Sequence, residues 1–240
     1  MNFTDKLFVI TGVGRAGQVG EALALSLAQR GATLALLDLK QSDVDARAGV
    51  LREAGFTVTA HAADLSNADA AEAAAERVIA ATRDRFGGVV HGVVCAAGGF
   101  GTTGPIDESD PAAWHRQFVI NLDTAFNATR AFLPAVRQAR GAFAYFGSVA
   151  ALPGGDPSGI AAYAAAKSGV LALMQAVAHE ERAHGVRANA VVPVAVRTAA
   201  NVDAMGDKTS YVERESVADV VAFLLSPLAR NVSGQAIVLA

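Results

Sequence analysis

The stretch "KLFVITGVGRAGQVGEALALSLAQRG", residues 6–31, decides the fold. It opens on an apolar run ending at Thr11. It then passes through a turn containing Gly12, Gly14, Gly17 and Gly20, and continues as an alanine–leucine helical pattern. A glycine-rich turn between a strand and a helix points backbone N–H groups and a helix N-terminus at one spot, which suits a phosphate. The spacing of these glycines fits no standard pattern. On its own the turn is either a lengthened nucleotide loop or a plain β–α corner.

The rest of the chain repeats the strand-then-helix theme. Strand patterns fall at 6–11, 32–38, 57–61, 89–95, 142–147, 186–192 and 236–239. Helical patterns fall near 20–30, 42–54, 67–86, 110–138, 158–184 and 216–226. Several strands are apolar on both faces, as in a parallel sheet covered by helices on each side. The alternation predicts an α/β, doubly wound fold. Ser109 or Asp110 is placed to cap the long middle helix, with Pro111 at its first position. No linker or repeat divides the chain, so one domain over 1–240 is expected.

Composition excludes several classes. Apolar residues make up 52% of the 240 and charged residues 18%, which favours a packed core over disorder. A net charge of −3 leaves no basic footprint for nucleic acid. No uninterrupted apolar run approaches the roughly 18 residues that span a bilayer, so no membrane contact is expected. The single Cys95 has no internal disulfide partner, and a reducing, cytoplasmic compartment is the default. No metal site is expected. "HEERAH", 179–184, resembles a zinc-protease motif, but its histidines are five apart, about 140° round a helix.

Chemistry-bearing residues gather at the predicted carboxyl ends of strands. Asp38 ends strand two, where a carboxylate can accept both hydroxyls of an adenosine ribose. Asp64 follows strand three. "CAAGG", 95–99, ends strand four with small residues that let a ligand approach the backbone. The sharpest signal is "YAAAK": Tyr163 and Lys167 lie four apart on one helix face. A free phenol has a pKa near 10. A neighbouring ammonium stabilises the phenolate and makes the pair an acid/base catalyst. Ser148 precedes Tyr163 by fifteen residues and follows a buried strand, where its hydroxyl can polarise a substrate carbonyl. Alone, Tyr163 and Lys167 would read as an ordinary surface pair. The glycine turn and Asp38 argue for the catalytic reading.

These motifs, with "NLDTAF" at 121–126 and "NAVVPVAVRT" at 189–198, give a chain that resembles the short-chain dehydrogenase/reductase family over essentially its whole length. The resemblance implies a Rossmann fold with a seven-stranded parallel sheet. It also implies hydride transfer between NAD(H) or NADP(H) and an alcohol or carbonyl. On this reading Tyr163 is the general acid or base, and Lys167 tunes it and holds the nicotinamide ribose. Ser148 binds the substrate oxygen, and Asn121 supports a water-linked proton path to Lys167. The implied dinucleotide site takes Gly12, Gly14, Arg15, Gly17, Val19 and Gly20 from the turn. It takes Asp38 and Leu39, Asp64 and Leu65, and Ala96, Ala97 and Gly98 from strand ends. Tyr163, Lys167, Pro193, Val196 and Thr198 complete it. Phe100, Ala150, Leu152, Met205 and Tyr211 are the candidate substrate wall, fitting a small to medium carbonyl or secondary alcohol. Asp38 favours NAD, with NADP possible through Arg15 or Lys40. A homodimer or homotetramer joined through the helices at 110–138 and 158–184 is expected.

Departures from the family pattern are also legible. The usual turn spans seven positions from Thr to the last Gly, whereas Thr11 to Gly20 spans nine, an insertion of two. Val194 replaces a usual glycine after Pro193. Val tolerates positive φ poorly, so the backbone there is expected to differ. The rival reading is a non-catalytic, dinucleotide-sensing protein of the same fold. Mere binding has no need of Ser148, Tyr163 and Lys167 together.

Overall fold

A computed structural model describes residues 1–207 and 209–240. Seven strands form one all-parallel sheet in the order β3-β2-β1-β4-β5-β6-β7. They are β1 (Leu7–Thr11), β2 (Thr33–Asp38), β3 (Val58–Ala62), β4 (Gly92–Cys95), β5 (Ala142–Phe146), β6 (Arg187–Pro193) and β7 (Ala236–Leu239). Each sequence-predicted strand is present. β4 is shorter than expected and starts at Gly92. The sheet order reverses between β1 and β4, which opens a crevice above their carboxyl ends.

Helices cover both faces. One cluster joins α1 (Val19–Gln29), α2 (Gln41–Glu53) and α8 (Arg214–Leu225) to the sheet through Leu23, Leu27, Val44, Val217 and Val221. The other uses α3 (Ala68–Phe86), α5 (Thr124–Ala139) and α6 (Ala161–Glu180), through Val78, Phe132, Val170 and Met174. Burial on both sides explains the unbroken apolar strands. β1 and β4 are wholly buried.

Three features go beyond the sequence pattern. The middle helix is not continuous: α4 (Pro111–Phe118) passes into a π-helical turn over Val119–Asp123 before α5 begins. Asp110 does cap α4, its carboxylate accepting from Ala112 N and Ala113 N. The segment after Thr198 contains a short helix, α7 (Ala199–Met205). Finally, α6 is long and apolar enough to cross a bilayer by length and composition, with a mean hydropathy of 1.2. Its Val170, Met174 and Val177 are instead packed against the sheet.

Val194 does not take positive φ. Among the described non-glycine residues only Asp5 and Arg140 do so. Its N–H donates to Leu239 O at 3.0 Å, so the backbone at this position continues the β6–β7 pairing.

Candidate active site

A cleft of about 520 Å³ runs along the carboxyl ends of the strands. Its floor at one end is the turn after β1. Gly12 has φ +75°, and a Cβ there would lie 2.7 Å from the Ala97 backbone. A Cβ on Gly20 would clash with Gly12 O. The turn, the β4 end and the start of α1 are therefore pressed together in a way only glycine permits. Thr11 Oγ1 locks the same junction, accepting from Ala96 N at 3.1 Å and Ala97 N at 3.0 Å.

The two extra residues are absorbed by a side-chain clamp. Glu21 Oε2 accepts from Gly17 N at 2.8 Å, while Arg47 donates to Oε1 at 2.5 Å and Arg214 approaches Oε2 at 3.5 Å. Burial pushes the Glu21 carboxyl up, but these N–H bonds and guanidinium charges outweigh it and hold it below its usual range. Gly17 is thus turned toward Glu21 and does not line the cleft. Gly14 is tucked beneath Asp38, its N–H donating to Oδ2 at 2.7 Å. A Cβ on Gly14 would stand 2.8 Å from that carboxylate carbon. Gly12, Arg15, Val19 and Gly20 do line the cleft, with Gln18, which sequence reasoning passed over. Gln18 leaves the N-terminus of α1 without a side-chain cap. Free helix N–H groups are therefore directed into the cleft.

Asp38, Leu39, Asp64, Leu65, Ala96, Ala97 and Gly98 line the middle. Asp38 Oδ1 accepts from Leu39 N at 2.8 Å, so both carboxylate oxygens are oriented by backbone. Each keeps a second lone pair for a further donor. At the far end stand Asn121, Tyr163, Lys167, Pro193 and Val196. Asn121 lies in the π-helical turn. Its Nδ2 donates to Gly99 O at 2.9 Å and Gln117 O at 3.0 Å, and its Oδ1 accepts from Gly99 N at 3.2 Å. A Cβ on Gly98 would fall 2.7 Å from Asn121 Oδ1 and 3.6 Å from Lys167 Nζ, so both residues flank that glycine.

Lys167 is buried and donates from Nζ to Phe146 O at 3.0 Å. Burial lowers its pKa to about 8. Tyr163 differs from the expectation of a depressed phenol. Burial raises its pKa, and the Ser148 hydroxyl beside it only partly offsets this. The Lys167 Nζ lies 5.8 Å from the ring centroid, and its bond is made to a carbonyl. In the free chain desolvation therefore outweighs the ammonium. Phe100, 65% exposed, packs edge-on to Tyr163 with centroids 5.1 Å apart.

Several predicted residues fall outside the lining. Ser148 follows Gly147, which does line the cleft, and its Oγ accepts weakly from Ala150 N at 3.4 Å. Ala150 and Leu152 sit in the turn beyond it. Thr198 is buried and caps α7, accepting from Asn201 N at 3.2 Å. Met205 is 47% exposed at the end of α7. Tyr211 is directed at backbone, donating to Gly206 O at 2.9 Å, with the Arg197 guanidinium 4.7 Å over its ring. Conversely, Ala63, Ser66, Gly99, Val119, Ile120, Thr124, Phe146 and Gly147 line the cleft unpredicted. Most adjoin a quoted motif. Val119 and Ile120 were hidden because the π-helical turn breaks the helical period.

A family profile described as Enoyl-(Acyl carrier protein) reductase matches residues 12–239. 2-(S)-hydroxypropyl-CoM dehydrogenase 3 of Xanthobacter autotrophicus is 34% identical, over 97% of this chain and 94% of that one. A short-chain type dehydrogenase/reductase from Mycobacterium ulcerans superposes with a TM-score of 0.88 at 29% identity, over 100% of this chain and 90% of that one.

The chain belongs to the short-chain dehydrogenase/reductase family.

A 3-oxoacyl-[acyl-carrier protein] reductase with bound NAD from Brucella melitensis is also similar, with a TM-score of 0.85 and 30% identity over 99% of this chain and 90% of that one. As a short-chain dehydrogenase/reductase, the chain is an NAD(P)-dependent oxidoreductase acting on alcohols or carbonyls. The cleft fits such a dinucleotide. It offers a glycine cradle that any Cβ would fill, an uncapped helix N-terminus for the pyrophosphate, and a carboxylate with acceptor capacity left for ribose hydroxyls. Among the described residues no His, Cys, Asp or Glu cluster could hold a metal.

Proposed function

We propose that the protein is an NAD-preferring dehydrogenase or reductase of a small to medium secondary alcohol or carbonyl, working as one unit over residues 1–240. The observation that carries this reading is the grouping of Lys167 and Asn121 around Gly98, with Tyr163 beside Lys167, in the same cleft that Asp38 lines. The nicotinamide ring, when bound, supplies or accepts the hydride. Tyr163 holds the proton that goes to or comes from the substrate oxygen. The Ser148 hydroxyl orients that oxygen and favours the phenolate. Lys167 is anchored through one N–H to Phe146 O and has two more to offer, one to a ribose hydroxyl. Its charge is not paired with any carboxylate among the described residues. Asn121 fixes the loop at 98–99 and keeps Lys167 beside it.

The substrate class rests on the wall next to Tyr163. Phe100 and Ile120 are apolar, and Phe100 is exposed enough to close over a bound chain. The named relatives act on a 2-hydroxypropyl group and on a 3-oxoacyl thioester, and both place a secondary alcohol or ketone near a chain end. A cytoplasmic setting agrees with Cys95, a lone thiol that is buried and raised to about 12, hence inert. Assembly as a homodimer or homotetramer is supported by the outer surface of α5 and α6. Phe126 there is 49% exposed, and Ser168, Ala172 and Ala176 offer small side chains.

Tyr163→Phe tests the reading. With NADH and a panel of ketones, kcat should fall by about 10²–10⁴-fold, while NADH affinity by fluorescence titration stays within about twofold. Turnover near the wild-type rate would remove Tyr163 from the mechanism.

A further inference from the structure

A second hollow, also of about 520 Å³, lies at the opposite end of the central strands, where they begin. Lys6 precedes β1, His91 precedes β4, and Arg187 opens β6. Arg140, Arg182 and Arg230 complete its charged lining, and no carboxylate is part of it. Five Lys or Arg side chains around one hollow are unexpected in a chain whose net charge is −3.

Helix ends explain only part of this. The C-termini of α5, α6 and α8 converge here, and each contributes about half a negative charge. Arg187 answers one of them, donating to Leu224 O at 2.6 Å and Ser226 O at 3.2 Å. The dipoles together offset about one and a half of the five cations. Nearby acid does not cover the rest. Glu181, beside Arg182 in the chain, is committed to Arg137 through bonds of 2.7 and 2.6 Å. Among the described residues the side chains of Lys6, Arg140, Arg182 and Arg230 make no ion pair. The neutral donors point the same way. His91 Nδ1 accepts from Leu7 N at 3.1 Å, which leaves the proton on Nε2.

We infer that this hollow binds a small molecule carrying a phosphate or pyrophosphate group, at a site separate from the nucleotide cleft. Guanidinium forks match the paired oxygens of such groups, and a compact multiple negative charge answers the cationic excess. The strands that start at this hollow end at Thr11, Cys95, Phe146 and Pro193. Their far ends carry the active site, so an anion here would brace the same strands from below.

The test is calorimetric titration of pyrophosphate into the protein already saturated with NADH, at fixed ionic strength. Saturation keeps the probe out of the nucleotide cleft. One saturable site is expected. Arg182→Ser and Arg230→Ser, both at exposed side chains, should each weaken it about tenfold and leave turnover unchanged. Absence of binding in the NADH-saturated protein overturns the inference, as does wild-type affinity in both variants.

Discussion

At the scale of single residues, cofactor choice rests on Asp38. Its oxygens are pinned by Gly14 N and Leu39 N, so the carboxylate cannot swing away from a 2′-phosphate. Two like charges about 4 Å apart cost roughly 1–4 kcal/mol, a preference for NAD of about fivefold to nearly a thousandfold. Wild type should show that preference in kcat/KM, and Asp38→Ser should lose most of it. A wild-type preference for NADP would shift the choice to Arg15, which lines the same cleft. Lys167 makes a second prediction. Its pKa in the folded chain is lowered to about 8, so below that pH the fold carries a buried ammonium at a cost of about 3 kcal/mol. Between about pH 8 and the unfolded value near 10.4 the unfolded chain binds the extra proton, so stability rises with pH. Lys167→Met should therefore raise Tm at pH 7, with the gain fading above pH 8, and should abolish turnover. A gain that does not change with pH would mean the ammonium is not the source of the cost. The Tyr–Lys spacing was legible in the sequence because it needs only helical periodicity. The raised Tyr163 phenol was not, since it comes from burial by tertiary neighbours such as Phe100.

Among the elements, the turn between β1 and α1 was half legible. Its glycines announced a close approach, and counting revealed the insertion. That Gly17 would turn to Glu21 was not readable, because an acidic residue in a first helical turn ordinarily reads as a partner for the dipole. The two arginines that complete the clamp come from α2 and α8, 26 and 193 residues away. Glu21→Ala should free the lengthened turn, raising KM for the dinucleotide about tenfold with kcat within about twofold, consistent with losing charged hydrogen bonds of about 1.5–3 kcal/mol. A fall in kcat with KM unchanged would place Glu21 in the chemistry instead. The break between α4 and α5 escaped sequence reading for a related reason. The apolar period is only locally shifted, and Asn121 gains its three partners from loop backbone and the preceding turn.

For the whole molecule, the alternation of elements gave the α/β class and all seven strands, with boundaries within a few residues. Strand order was not in the pattern itself. It follows from crossovers between distant segments and entered through the family resemblance. Assembly carries a prediction at this scale: light scattering at micromolar concentration should give the mass of a dimer or tetramer. Replacing Phe126 and Ala172 by Glu together should shift it toward the monomer, since buried like charges oppose association. A monomeric wild type would overturn the proposed contact.

The central place of β1 has a consequence for how the chain is made. One neighbour, β2, follows within about thirty residues, but the other is β4, where Phe8 pairs with Gly92. A nascent chain that has completed β3 therefore displays an unpaired edge along "LFVI", a wholly buried segment in the finished protein. At synthesis rates of about 5–20 residues per second, that edge waits roughly 2–6 s for β4 to be made. Through that interval it is open to pairing with other chains, a delay set by topology that no side chain in the finished molecule reveals.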